Sequence, residues 1–243
     1  RPAGRDADRG GNGLNSRMMT SRRLRRWGLE NTEPLGPESC VIIVSNHRSF
    51  FDFYVIGPIL YTRTRLSKHI LFPVRAPFFY DKWMGGIINA IMSGFFMFPP
   101  VMRSKEKRAY NAYALQRMVT ELERPGQQLG IHPEGTRGKG DDPYTFLRTQ
   151  PGVGTVLSKS KHTVALPVFI TGMTNSMAEE FRRNWSKNHK DYPIDVVFGP
   201  VLQFDDLRAK GDRLAIQMQM AQRCMDAVSE LAQWHKEQFL PEE

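Results

Sequence analysis

The sequence predicts an α/β fold: a mostly parallel central sheet flanked by helices, in a single layered domain. Three observations lead there. Cys40-Val41-Ile42-Ile43-Val44 is a continuous apolar, β-branched run, the pattern of a strand buried on both faces, as in a parallel sheet. Further along, short strand-like runs alternate with helix-like stretches, which is how layered α/β domains read. The 243 residues suit one domain with a core large enough to fold without staples. The two cysteines, Cys40 and Cys224, stand far apart and no Cys/His cluster accompanies them, so neither a disulfide framework nor a structural zinc site is expected.

The elements follow in order. Residues 1–38 are rich in Gly, Asn, Arg and Pro with no apolar period, and are expected to be a disordered basic segment with a short basic helix over 18–27. The folded domain is expected over 39–243. After the first strand, 52–60 reads as a helix, 70–74 as a strand, 83–93 as a helix and 95–98 as a strand. Residues 104–123 read as a helix that stops at Pro125-Gly126. Strands over 128–131, 164–170 and 196–198 and a helix over 152–161 come next. A long amphipathic helix over 213–238 closes the chain, with Leu214, Met218, Ala221, Met225, Val228 and Leu231 near one face.

Charge is unevenly spread. Residues 1–26 hold eight arginines against Asp6 and Asp8, which is +6 of the total +9 and leaves +3 for the rest. Such an arm can meet anionic lipid or nucleic acid through the same electrostatics. Nothing in the rest of the chain interleaves aromatic and basic residues as single-strand binders do, so nucleic acid is not an expected partner. Between Lys82 and Arg103 run twenty uncharged residues, close to the length of a membrane span. Gly85, Gly86, Gly94 and Pro99-Pro100 interrupt them, so the expectation is a buried helix followed by a core strand. The competing reading is an apolar surface that dips into a bilayer without crossing it.

Two motifs carry chemistry. The first, Asn46-His47-Arg48-Ser49-Phe50-Phe51-Asp52, follows the first buried strand. On a regular helix His47 and Asp52 would lie about 140° apart and would not meet. They meet if His47 sits in the turn and a helix begins after it. Ser49 is then the expected N-cap, with Asp52 three residues on as in a capping box. The positive helix end is expected to keep Asp52 ionised, and an ionised Asp52 can fix the His47 tautomer and raise its basicity. His47 then suits the role of a general base toward a hydroxyl. Plain capping, with His47 as a loop residue, is the blander alternative.

The second motif, Ile131-His132-Pro133-Glu134-Gly135-Thr136-Arg137, also follows an apolar strand. Pro133 ends the strand and Gly135 permits a tight turn. Glu134, Thr136 and Arg137 are expected to face outward. Arg137 can grip a phosphate bidentately and Thr136 adds a hydroxyl. Glu134 would hold an arginine or accept a glycerol hydroxyl, or simply pair with Arg137. Ligands in open α/β sheets gather at the carboxyl ends of strands, which is where both motifs lie.

Together these residues resemble the boxes of the glycerolipid acyltransferase family, whose best-known members are 1-acylglycerol-3-phosphate acyltransferases. The H-x-x-x-x-D box is similar to 47–52, the second box to 94–103 ending in Arg103, the third to 132–137, and the fourth to Val164-Ala165-Leu166-Pro167-Val168. The resemblance spans roughly residues 40–205. It implies His47 as general base with Asp52 as its partner, and a site for the acceptor phosphate built from Arg103, Glu134 and Arg137, with Gly135 and Thr136 shaping it. It implies an acyl-CoA or acyl-carrier protein donor, a lysophospholipid acceptor such as lysophosphatidate, no cofactor and no metal. A peripheral or monotopic place on the cytoplasmic face of a membrane would follow. The same chemistry on glycerol 3-phosphate or another lysolipid is the alternative, and a non-catalytic membrane-surface binder a distant one.

This chain departs from the family pattern in three places. His132 replaces the aromatic residue usual before Pro133 and is read as a packing substitute. Pro99-Pro100-Val101-Met102 replaces the usual lead into Arg103. Arg148 stands where a lysine would be expected.

Overall fold

The computed structural model describes residues 20–75, 97–101, 108–138, 140 and 142–240. Among them are seven strands: β1 (Leu24–Trp27), β2 (Val41–Ser45), β3 (Ile70–Arg75), β4 (Met97–Val101), β5 (Gln128–Ile131), β6 (Val164–Thr171) and β7 (Ile194–Phe198). The helices are α1 (Asp52–Arg63), α2 (Arg108–Leu122), α3 (Gly152–Lys159), α4 (Met177–Trp185), α5 (Asp205–Arg208) and α6 (Leu214–Phe239). The strands form one sheet in the order β1-β7-β6-β2-β5-β3-β4. Every pairing is parallel except β6 with β7. The α/β architecture with a mostly parallel sheet is therefore the one the sequence predicts. Among the described residues no helix is long and apolar enough to cross a membrane.

Strand β2 shows why its run is apolar throughout. It lies between β5 and β6, and all four residues from Val41 to Val44 are fully buried. Ile42 and Val44 point into a core formed with α2, α3, α5 and α6. Val41 and Ile43 point the other way, into a core with α1 and the inner faces of β6 and β7. The period-2 alternation thus feeds two cores from one strand.

The structure corrects the expected start of the fold. Over residues 18–27 the expectation is a helix in a segment outside the domain, whereas Leu24–Trp27 forms an edge strand paired in parallel with β7. The reason lies in its arginines. Arg23 is fully buried against Glu180 at 2.8 Å, and Arg25 makes two 2.5 Å bonds to the carboxylate of Asp195. Neither is a free cation of a tail. The helix expected over 83–93 lies outside the described residues, as do Met102, Arg103 and residues 104–107 of the next expected helix.

Helix α3 lies against α6 so closely that a Cβ built on Gly154 would fall 1.8 Å from the Gln217 carbonyl oxygen, whereas one on Gly152 meets nothing within 4 Å. Gly154→Ala is therefore expected to cost roughly 2 kcal/mol or more through overpacking. Gly152→Ala should be neutral or stabilising by up to about 1 kcal/mol, because alanine is the better helix former. Urea midpoints of the two variants check this, and equal effects would contradict it.

Candidate active site

Both motifs leave the sheet from adjacent strands. β2 ends at Ser45 and β5 at Ile131, paired in register up to Val44 and Ile131. The two loops therefore start side by side. Asn46, fully buried, fixes the first one: its side-chain amide donates to the Ile170 carbonyl at 2.8 Å and its carbonyl accepts from the Ile170 N–H at 2.9 Å. This pair of hydrogen bonds to β6 sets the position from which His47 departs.

His47 and Asp52 meet. Nδ1 of His47 lies 3.1 Å from Oδ2 of Asp52, with the imidazole 21% exposed and the carboxylate 1%. Asp52 also accepts the N–H groups of Arg48 at 3.0 Å and of Ser49 at 3.0 and 3.1 Å. A carboxylate acceptor assigns the proton to Nδ1 and leaves the imidazole lone pair on Nε2. The capping box forms only in half. The carboxylate reaches back to the Ser49 N–H, but Ser49 is not the N-cap: Phe51 precedes the helix and provides no side-chain cap. The Ser49 hydroxyl instead donates to the Thr174 carbonyl at 2.5 Å and accepts from the Phe51 N–H at 3.1 Å.

The helix end does not by itself keep Asp52 strongly acidic. Burial pushes its carboxyl up to about 6, against the backbone N–H groups of Ser49 and Arg48 and the Arg137 guanidinium that pull it down. It is ionised at neutral pH and loses that charge not far below it.

Glu134 also differs from expectation. It is 2% exposed and turned inward. Oε2 accepts the His47 N–H and Oε1 the Leu147 N–H, both at 2.8 Å. The carboxylate thus clamps the first motif to the second and to the loop beyond, rather than facing outward. Burial raises its carboxyl above the ordinary range. Pairing the His47 backbone to a buried carboxylate holds the imidazole from behind.

Arg137 is exposed, and Nη1 donates to the Asn175 side-chain oxygen at 2.5 Å. That oxygen also accepts the Phe50 N–H at 3.0 Å. Asn175 therefore ties the second motif to the first, and most of the five guanidinium donors stay available to an oxyanion. Gly135 turns the loop with φ of 65°, a left-handed conformation that favours glycine. Thr136 is half-buried beside it. Arg148 is exposed on the loop past Leu147. Arg103, the third expected phosphate ligand, lies outside the described residues. Asn46 and Asn175 were missed by sequence reasoning. Asn46 stands inside the first motif, but nothing in the sequence marks Asn175.

His132 packs as expected. Its ring stacks on that of His47, with centroids 3.9 Å apart and planes 6° from parallel, and tilts against Phe53 at 4.4 Å. Nδ1 lies 3.0 Å from the Ser45 carbonyl oxygen. Burial, and then the neighbouring His47, push its imidazole down to about 3. It is neutral wherever the site works and is not a second cation. His47, Asp52 and His132 each bring one potential ligand atom within 4.8 Å of the others, a donor set chemically suited to zinc or a similar cation. Both Nδ1 atoms already hold protein hydrogen bonds, so a metal would have to displace one or approach Nε2.

The stack generates a pH prediction. Unfolded, His132 takes up a proton below about 6.5, whereas folded it resists until about 3. Acid therefore costs the parent stability across that window. His132→Phe keeps a flat ring and removes the titrating group. Its stability relative to the parent should rise as pH falls from 6.5 towards 3. Urea midpoints of both proteins on either side of pH 6.5 test this, and a difference independent of pH would contradict it.

A family model described as Acyltransferase matches residues 26–171. No curated protein matches the chain. The matched span covers more than half of the sequence and contains both motif loops, the Asn46 anchor and the strands β2 to β6 that carry them. By that extent the chain belongs to the Acyltransferase family, that of the glycerolipid acyltransferases.

Proposed function

We propose that this protein transfers a fatty acyl group from acyl-CoA or acyl-carrier protein to the free hydroxyl of 1-acylglycerol-3-phosphate. Membership of the family implies an acyl donor and a lipid acceptor. The observation that carries the finer reading is the short connection from Nδ1 of His47 to Arg137: hydrogen bonds link His47 to Asp52 and Asp52 to the Ser49 N–H, the chain continues to Phe50, and the Phe50 N–H and Arg137 share the Asn175 side-chain oxygen. One end of it handles a proton and the other presents a guanidinium to an anion.

In this mechanism the acceptor hydroxyl gives its proton to Nε2 of His47 as its oxygen attacks the thioester carbonyl. Asp52 stabilises the imidazolium that forms. The tetrahedral adduct collapses, the C–S bond breaks, and the departing thiolate takes the proton back from Nε2. Arg137, with Thr136 beside it, holds the acceptor phosphate so that the hydroxyl arrives in line. Arg103 belongs to the same site in this reading. No covalent acyl-enzyme is needed.

Three outcomes are expected. His47→Ala should lower kcat by roughly a thousandfold, the usual worth of a positioned base, while the melting temperature holds. Arg137→Ala should raise KM for the phosphate-bearing acceptor by about tenfold to a hundredfold with kcat less affected, as befits one charged hydrogen-bonding group. In the parent, kcat/KM should fall as pH drops below about 6, where Asp52 takes up a proton. Steady-state assays with a labelled acyl donor over a panel of acceptors read all three. Retained turnover in His47→Ala would end the proposal, and preference for an acceptor without phosphate would overturn the role of Arg137.

A further inference from the structure

The loop over 142–150 runs from the second motif towards α3 and holds no helix or strand. Such a segment has no ladder of backbone bonds to hold it in place. Yet it supplies the Leu147 N–H to one oxygen of Glu134, while the other oxygen takes the His47 N–H, both at 2.8 Å. The backbone position of His47 therefore depends, through Glu134, on where this loop sits.

A buried polar chain meets the loop three residues before Leu147. The hydroxyl of Tyr144 lies 2.9 Å from Nδ1 of His235. Nε2 of His235 lies 3.0 Å from Oδ2 of Asp195, and Arg25 grips both oxygens of the same carboxylate. His235 and Asp195 are each 3% exposed. Side chains from β1, β7 and the last turns of α6 thus converge on one phenolic oxygen.

The chain has one direction. Burial works against the charge on Asp195, but the hydrogen bonds from Arg25 and His235 hold its carboxyl below the ordinary range. A carboxylate at Nε2 puts the imidazole proton there and leaves Nδ1 an acceptor, so the Tyr144 hydroxyl donates. Buried ionic chains are weak sources of net stability, because desolvation offsets their attraction, and their best-supported use is to single out one geometry. Packing already holds the Tyr144 ring, which stacks on Phe169 with centroids 5.8 Å apart. Apolar packing is non-directional, whereas the hydroxyl bond fixes a distance and an angle.

We propose that Tyr144 is a positioning residue for His47. The chain of Arg25, Asp195 and His235 holds its hydroxyl, the hydroxyl sets the place of the loop, and the Leu147 N–H then keeps Glu134 on the His47 backbone. The effect on turnover rests on the acyl-transfer reading; the effect on the His47 ring does not.

The test is Tyr144→Phe in the full chain, a change of one oxygen atom. The His47 Nδ1 proton, bonded to Asp52, should move upfield in the proton NMR spectrum as the ring loses its fixed approach. With a labelled acyl donor, kcat should fall about tenfold, as expected of a slight misplacement, with KM for the acceptor little changed. Val228→Ala removes core packing from the same helix as His235 and touches no member of the chain. It should leave both the proton shift and kcat at parent values, which a purely structural role of Tyr144 does not predict. In Glu134→Gln one of the two carboxylate oxygens becomes an amide nitrogen, and either choice cuts the path from Leu147 to His47. Tyr144→Phe should therefore cost little further kcat in that background. An unmoved His47 proton in Tyr144→Phe would overturn the proposal. So would losses that Val228→Ala reproduces, or losses that add in full to those of Glu134→Gln. A parent without acyl transfer would fail the catalytic reading alone, and the proton shift would still decide this one.

Discussion

One buried carboxylate sets the terms for the site. Asp52 is almost completely withdrawn from water, and the chain on either side is bent to serve it. Two successive backbone N–H groups and one imidazole converge on its two oxygens. A raised pKa is the consequence of that burial, and the sign matters. The fold gains stability from this group as pH falls from about 6 towards the ordinary value of 3.8, and forgoes it at neutral pH. The protein therefore keeps a charged group where a neutral one would be more stable. What it obtains is an anion with little water to screen it, placed against a ring that becomes cationic in the proposed reaction.

The surroundings make that arrangement rigid. Asn46 ties the departure point of His47 to β6, and Glu134 ties its backbone to the second motif. Asn175 gathers Phe50 and Arg137 on one oxygen. The loop beyond the second motif is held further out by another buried polar chain. The Tyr144 hydroxyl bonds to Nδ1 of His235 at 2.9 Å, and Nε2 of His235 lies 3.0 Å from the Asp195 carboxylate that also takes Arg25. The last turns of α6 and the edge strand β1 thus support the loop that Glu134 grips. Each buried acceptor in these chains has its donor, which is what makes polar networks in a low-dielectric interior stabilising.

Much of this was legible in the sequence. The uninterrupted Val41–Val44 run identified the central strand because burial on both faces leaves no room for alternation. The spacing of His47 and Asp52 excluded a helix for both and demanded a turn, which is what formed. The oddity of His132 was readable as a flat ring filling an aromatic slot. Other features were not legible, for physical reasons. Arg23 and Arg25 look like tail cations until partners 157 and 170 residues away are known. Glu134 beside Thr136 and Arg137 looks like a ligand, because no local pattern reveals that two backbone N–H groups from elsewhere claim it. Helix α4 carried a readable signal in Ser176-Met177-Ala178-Glu179, a cap followed three residues later by glutamate. Its inverted polarity, with Glu180 and Asn184 as its buried residues, hid it, since a periodicity search assumes that the apolar face is the buried one.

The central claim is that Asp52 holds His47 with its proton on Nδ1 and its lone pair on Nε2. Nitrogen NMR of the histidine-labelled protein above pH 6 reads the tautomer directly. The account predicts that the His47 ring is protonated at Nδ1, with that proton shifted far downfield by the carboxylate, and that Asp52→Ala abolishes the shift. A His47 ring protonated at Nε2 in the unmodified protein would contradict it.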